Sequence, residues 1–293
     1  AHLSDPDLAN QIIVSYSTPE ALIQIQNHVS QSVSSNGEIK LKGVKNFSHS
    51  QRRKKSVRGG QGGGSRGGNG GGRQLQDEES TAGIAVIVTT EDISAYQSIN
   101  GVTKVERDTE LSIDSLRSNF DPDVVKKYIG DLDRAQSGRK LQETRPWGID
   151  LVNVTQLWDT VDPPPSPITI CVVDTGYDLG HVDLPQLPSQ DVTGWDTGNA
   201  NNGVWNVDGN AHGTHCAGSI GAIGNNAEGV VGVNPDQEKF RFHIAKGLSD
   251  RGSGAGSDVL NAVSSCVEAG AKVISMSLGC DNCFSQATEL FYQ

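Results

Sequence analysis

The stretch PITICVVDTG, residues 167–176, decides the architecture of the C-terminal half of this chain. Its run of Ile, Cys and Val shows no polar alternation, so both faces must be buried, as in a parallel strand covered by helices on each side. It ends on Asp174 and a glycine, where a strand opens into a loop. Downstream the periodicity switches again and again. HGTHCAGSIGA (212–222) reads as a helix start packed with small residues and KFRFHIAKGL (239–248) as a strand. SDVLNAVSSCVEAGA (257–271) reads as a helix capped by Ser257, and KVISMSLG (272–279) as a third strand. Alternating strands and helices predict an α/β fold, a parallel sheet with helices on both faces. Reactive loops of such sheets lie at the C-terminal strand ends, where Asp174 and Ser277-Leu278-Gly279 fall.

The histidine stretch DGNAHGTHCAGSIGA (208–222) admits three chemistries. A metal site on His212 and His215 is disfavoured, because the helical zinc motif spaces its histidines at i, i+4 with a glutamate directly after the first, and that slot is Gly213. Cys216 as a nucleophile is also disfavoured, since a cysteine four residues after His212 on one helix points along the helix. A histidine acting as general base needs a carboxylate to orient it, and Asp174 supplies one upstream. Such a carboxylate fixes the tautomer of His212 and leaves its other nitrogen to take a proton.

ICVVDTGYDLGHVDL, NAHGTHCAG and VISMSLG, in this order, resemble the aspartate, histidine and substrate-strand motifs of subtilisin-like serine proteases. The likeness spans about residues 143–293, from ETRPWGIDLVNVTQLWD onward, and the cysteine after HGTH is similar to the proteinase K and kexin branches. The resemblance implies a subtilisin-like parallel sheet, with Asp174 as orienter and His212 as base and then acid. It implies substrate-binding strands at Ser277, Leu278 and Gly279 and, opposite, at Ser253 and Gly254 beside Gly252. His215 and Cys216 are then structural. A calcium ion held by Glu143, Asp183 and Asn226 is also implied, in oxygen donors that suit a hard cation. The family's oxyanion Asn and its Gly-Thr-Ser-Met-Ala nucleophile turn do not occur up to Gln293. The resemblance therefore places the serine beyond this residue and implies that residues 1–293 alone do not hydrolyse peptides.

The N-terminal part reads as β-α-β, insertion, β-α-β. QIIVSYS (11–17), a helix through EALIQIQNHVSQ and EIKLKGVKNFS (38–48) come first; GIAVIVTT (83–90), a helix at 91–99 and TKVERD (103–108) follow. This is the order of a split, ferredoxin-like α+β domain, with Ile12, Val14, Leu22, Ile25, Ile84, Val86, Val88, Ile93 and Val105 as candidate buried positions. Residues 50–80, glycine and positive charge with nothing to bury, are expected to be disordered. Ahead of a protease-like domain, residues 1–108 resemble the family's inhibitory propeptide, a partner that blocks the cleft. Residues 109–140 are then a linker ending in a candidate processing site at Arg139-Lys140, and residues 141–293 begin the catalytic domain.

Composition narrows the alternatives. Residues 1–142 hold 18 Lys and Arg against 17 Asp and Glu, while residues 143–293 hold 6 against 18. So acidic a C-terminal part argues against a nucleic-acid partner. The arginine-glycine tract at 52–74 resembles RNA-binding tracts but has no aromatic residue to stack on bases. Asp174-Thr175-Gly176 is the aspartic-protease tripeptide, yet Tyr177 replaces the small residue usual after it. No run reaches the roughly 18 apolar residues of a membrane span, so no membrane partner is expected; the protease resemblance implies protein or peptide substrates. Five cysteines leave at least one unpaired within the chain; Cys280-Asp-Asn-Cys283 reads as a redox pair, a half zinc site or a short-loop disulfide, and with no second CxxC for zinc a local disulfide, or pairing with cysteines beyond residue 293, is favoured. With the sequons at Asn46 and Asn153 and the zymogen-like layout, this suits an extracellular, secreted protein.

Overall fold

The computed structural model describes residues 8–36, 39–48, 81–113, 143–158, 160, 164–186, 192–199 and 202–280. The glycine-rich insertion expected at 50–80, the Arg139-Lys140 pair and Cys283 lie outside the described residues. The chain divides into two compact units, Ile12–Glu106 and Ala1–Gln11 with Arg107–Gln293.

The Ile12–Glu106 unit is built from β1 (Gln11–Tyr16), α1 (Pro19–Asn36), β2 (Lys40–Ser48), β3 (Thr81–Val88), α2 (Ser94–Gln97) and β4 (Val102–Arg107). The strands form one sheet in the order β2-β3-β1-β4, with β2 and β3 antiparallel. Thr18 starts α1 by accepting the Ala21 N–H on its hydroxyl at 3.2 Å, ahead of Pro19 in the first turn. Alternation along β1 sends Ile12, Val14 and Tyr16 against Ala21, Ile25 and Val29 of α1. Each fully buried aliphatic side chain there contributes roughly 1.5–3 kcal/mol. On β3 it is Ala85 and Ile87 that join this cluster; Ile84 and Val86 are buried outside it. α2 is shorter than the expected 91–99 because Asp92 draws the Ser94 N–H into a local turn at 3.0 Å.

In the other unit the first strand is β5 (Glu110–Ser112), inside the 109–140 stretch read as a linker. After α3 (Trp147–Leu151) and α4 (Thr155–Trp158) come β6 (Ile168–Asp174), β7 (Val192–Asp196), α5 (His212–Gly221), β8 (Phe240–Lys246), β9 (Ser253–Ala255), α6 (Gly256–Glu268) and β10 (Val273–Met276). β10-β6-β8-β7 form a parallel sheet, and β5 pairs with β9 in a separate two-stranded one. β7 escapes the sequence reading because its five residues, Val-Thr-Gly-Trp-Asp, carry neither an apolar run nor clean alternation.

The apolar run of β6 is split between two layers. Ile170 and Val172 pack with Ala217 of α5, while Cys171 and Val173 pack with Val259, Ala262 and Val263 of α6. The two helices therefore cover opposite faces of β6, and Asp174 emerges at the end of this central strand. Cys171 and Cys266 close a disulfide from β6 to α6, a pairing that the spacing of the cysteines did not reveal. Cys280 is disulfide-bonded as well. Ser257 is not the cap of α6, contrary to the sequence reading: it lies inside the helix, and Asp108 Oδ1 accepts its N–H at 3.2 Å. A carboxylate 149 residues away takes the capping role because the helix N-terminus attracts negative charge.

Candidate active site

Asp174 is fully buried, and its Oδ1 lies 2.8 Å from His212 Nδ1. The same oxygen accepts the Thr175 N–H at 2.7 Å. A carboxylate only accepts, so the proton between Asp174 and His212 resides on Nδ1, and Nε2 of the half-buried ring is the acceptor. Gly213, directly after His212, lets the helix approach: a Cβ there would stand 2.3 Å from Gly176 O and 3.1 Å from Asp174 Cβ. The slot that would hold the zinc motif's glutamate is thus one that no side chain can fill.

Three groups that the sequence reading missed hold this pair. Ala211, the first residue before α5, has φ 72° and no capping side chain. Asp208 does the capping instead, its Oδ2 accepting the Thr214 N–H at 2.8 Å and the Thr214 hydroxyl at 2.6 Å. Its Oδ1 accepts from the Ala211 N–H and the Thr175 hydroxyl. Burial pushes the Asp208 pKa up, but the hydrogen bonds from Thr214, Thr175 and Ala211 outweigh it and hold the carboxyl below its ordinary range. Thr175 Oγ1 in turn accepts the Gly213 N–H at 2.9 Å. Lys246, fully buried at the end of β8, donates to Thr175 O, to Val207 O at 3.3 Å and to Asp250 Oδ1 at 2.7 Å. The one signal in the sequence for Asp208 was a carboxylate shortly before a helix start, and a search restricted to the N-cap position overlooks it.

His215 is exposed and takes no part in the cluster. Cys216 does approach, with Sγ 3.8 Å from His212 Nδ1. Asp174, His212 and Cys216 together offer donor atoms within 4.8 Å of one another. Burial, reinforced by the Asp174 charge, pushes the Cys216 thiol up to about 11, so at neutral pH it is a protonated thiol and a poor nucleophile.

The residues expected to bind substrate lie on two sides of β5. Glu110, Leu111 and Ser112 pair antiparallel with Ala255, Gly254 and Ser253. On the other edge Ser112 donates to Gly279 O at 2.9 Å and Gly279 donates back to Ser112 O at 3.0 Å. The slot adjoins the histidine site: the Asn210 side chain donates to Asp250 O, and Ser277 hydrogen-bonds Cys216. Leu278 packs in the cluster of Ile113 and Leu248.

Of the residues expected to hold calcium, Asp183 is buried and accepts from Asn226 Nδ2 and the Val230 N–H, both at 2.8 Å. Glu143 precedes Thr144, which bonds to Gly229 and Val231 of the same loop, and its Oε1 is buried without a hydrogen-bond partner. That orphaned oxygen beside the loop fits a cation.

Residues 166–290 match the model of the Subtilase family. Thermitase of Thermoactinomyces vulgaris is 37% identical over 136 residues, 46% of this chain and 45% of that protein. Thermophilic serine proteinase of Bacillus sp. (strain AK1) is 39% identical over 112 residues, 38% of this chain and 26% of that protein. A solved psychrophilic subtilisin-like protease from Pseudoalteromonas sp. AS-11 is 38% identical, over 50% of this chain and 32% of that one, with a TM-score of 0.38. The chain spans less than half the length of each of these relatives.

Proposed function

We propose that this chain, whose residues 166–290 belong to the subtilase family, is part of a serine endopeptidase zymogen that cleaves protein or peptide substrates. The observation that carries the reading is the 2.8 Å contact between buried Asp174 and His212 Nδ1 at the C-terminal end of β6. Asp174 fixes the tautomer and stabilises the imidazolium; His212 Nε2 takes the proton of a serine hydroxyl as it attacks the scissile carbonyl, then returns it to the leaving amine. In the Asp, His, Ser order of subtilisin, that serine follows the two residues present here, C-terminal to Gln293. Ser253, Gly254, Ser277, Leu278 and Gly279 line the peptide slot by offering backbone groups to an extended chain.

The sheet order β2-β3-β1-β4 supports reading residues 1–108 as a split β-α-β propeptide, with maturation at Arg139-Lys140. Glu143, Asp183 and Asn226 would hold a structural calcium ion, which would tie the start of the catalytic unit to the 226–230 loop. The Cys171–Cys266 disulfide supports an oxidising, extracellular setting. Among the described residues no helix is long and apolar enough to cross a membrane.

The test is peptidase activity of the complete reading frame. His212→Ala should lower turnover by roughly four powers of ten or more, as removal of a triad base does, and His215→Ala far less. Equal losses from both, in folded protein, or activity untouched by phenylmethylsulfonyl fluoride, would overturn the assignment.

A further inference from the structure

We propose that Lys246 and Asp250 are a positioning pair for the histidine: their ion pair ties the loop that follows Asp174 to the loop that leads into His212, and so sets the distance at which base and carboxylate meet. The proposal rests on reading Asp174 and His212 as a peptidase pair. Lys246 ends β8 with its side chain fully buried, while Asp250, four residues on, is half exposed. An ammonium carries three donors, and here they find three acceptors: Thr175 O, Val207 O at 3.3 Å and Asp250 Oδ1 at 2.7 Å. Thr175 follows Asp174 in the chain and Val207 precedes Asp208. The cation therefore draws together the main chain beside both carboxylates of the site.

The hold continues toward the histidine. Asp250 Oδ1 also accepts the Gly209 N–H at 3.2 Å, and Asp250 O accepts from Asn210 Nδ2 at 3.0 Å. One ion pair thus fixes Val207, Gly209 and Asn210 just ahead of His212, while the Thr175 hydroxyl accepts the Gly213 N–H just past it. Two glycines allow the close approach: a Cβ on Gly209 would stand 2.4 Å from Asp250 Oδ2, and one on Gly176 would stand 3.2 Å from Lys246 Nζ. Stability alone does not account for the charge. Burying an ammonium is costly, and a well-packed apolar side chain of like volume often serves a fold as well or better. Such a side chain could not hold two carbonyls and a carboxylate together, and the placing of those groups is what the charge supplies.

NMR of the 293-residue chain reads the effect at the His212 Nδ1 proton, which stays visible while Asp174 shelters it from exchange with water. Lys246→Met and Asp250→Ala should each speed that exchange by about tenfold or more and leave the amides of β6 and β8 protected. The two changes together should add little to either alone, because the pair acts as a unit. In the complete reading frame each variant should lower kcat by up to about a hundredfold, the loss that an ångström of misplacement can bring, and leave KM nearly unchanged. A role in stability alone would lower the melting temperature and leave the Nδ1 proton as it was. Should either variant unfold, Asp250→Asn serves instead: it keeps an acceptor, removes the charge and should speed the exchange severalfold. An unchanged Nδ1 proton in the folded variants, fully additive effects in the double variant, or a raised KM at unchanged kcat would overturn the proposal. The Nδ1 readout needs no hydrolysis, so its failure is distinct from failure of the peptidase reading, which His212→Ala decides.

Discussion

Asp208 binds Thr214 twice, through the backbone N–H at 2.8 Å and the hydroxyl at 2.6 Å, and so caps the helix that opens with His212. Asp208→Ala should destabilise the protein by about 1–2 kcal/mol, the usual loss for a helix cap, and lower turnover by moving the histidine. The Asp208 pKa is depressed in the fold. Its stabilisation is therefore fully present above the unfolded carboxylate value and is lost as pH falls through the lower, folded one. Denaturant melts of the wild type and Asp208→Asn should converge at acid pH; curves that stay parallel would show that the charge contributes nothing.

His243 carries the second pH dependence. It is buried in β8, with Nδ1 2.9 Å from the Thr193 hydroxyl and Nε2 without a partner. Burial lowers its pKa from 6.5. A depressed base stabilises the fold above its unfolded value, and this contribution drains away as pH falls below 6.5 toward the folded value. His243→Gln should flatten the stability profile below pH 6.5, measured by urea denaturation.

The Cys171–Cys266 disulfide closes a loop with a sequence separation of 95 and joins a sheet strand to a helix on one face. Replacing both cysteines by Ala should cost roughly 2–4 kcal/mol. Both are fully buried, so a reductant without denaturant should leave the melting temperature almost unchanged. A large drop in native conditions would mean that the bond is accessible.

Chelation tests the calcium proposal. Removing calcium should lower the melting temperature of the wild type, because an ion at a hundred times its dissociation constant stabilises by about 2.7 kcal/mol. Glu143→Ala should begin at the lower value and respond little to chelator. An equal chelator response in both proteins would remove Glu143 from the site.

Much of the site was legible before any coordinates. The order of the Asp174, His212 and Ser277-Leu278-Gly279 stretches pointed to one family, and the unbroken apolar run at 170–173 marked the strand that carries the aspartate. The β1, β6 and β8 stretches were readable because a strand's character follows from the burial of its own neighbours. β7 was not, since an edge strand of five residues with a glycine in it leaves no periodic trace.

What the sequence by itself determined is therefore local or ordinal: which segments are strands and helices, and which titratable groups stand at their ends. The tertiary structure alone decided that Asp108 caps α6 from 149 residues away, that Cys171 bonds Cys266, and that β5 fills the slot between β9 and Gly279. Periodicity arises from the geometry of adjacent residues and is written in any short window. These three contacts join groups brought together only when the sheet closes and its two faces are covered, and no residue spacing encodes that closure.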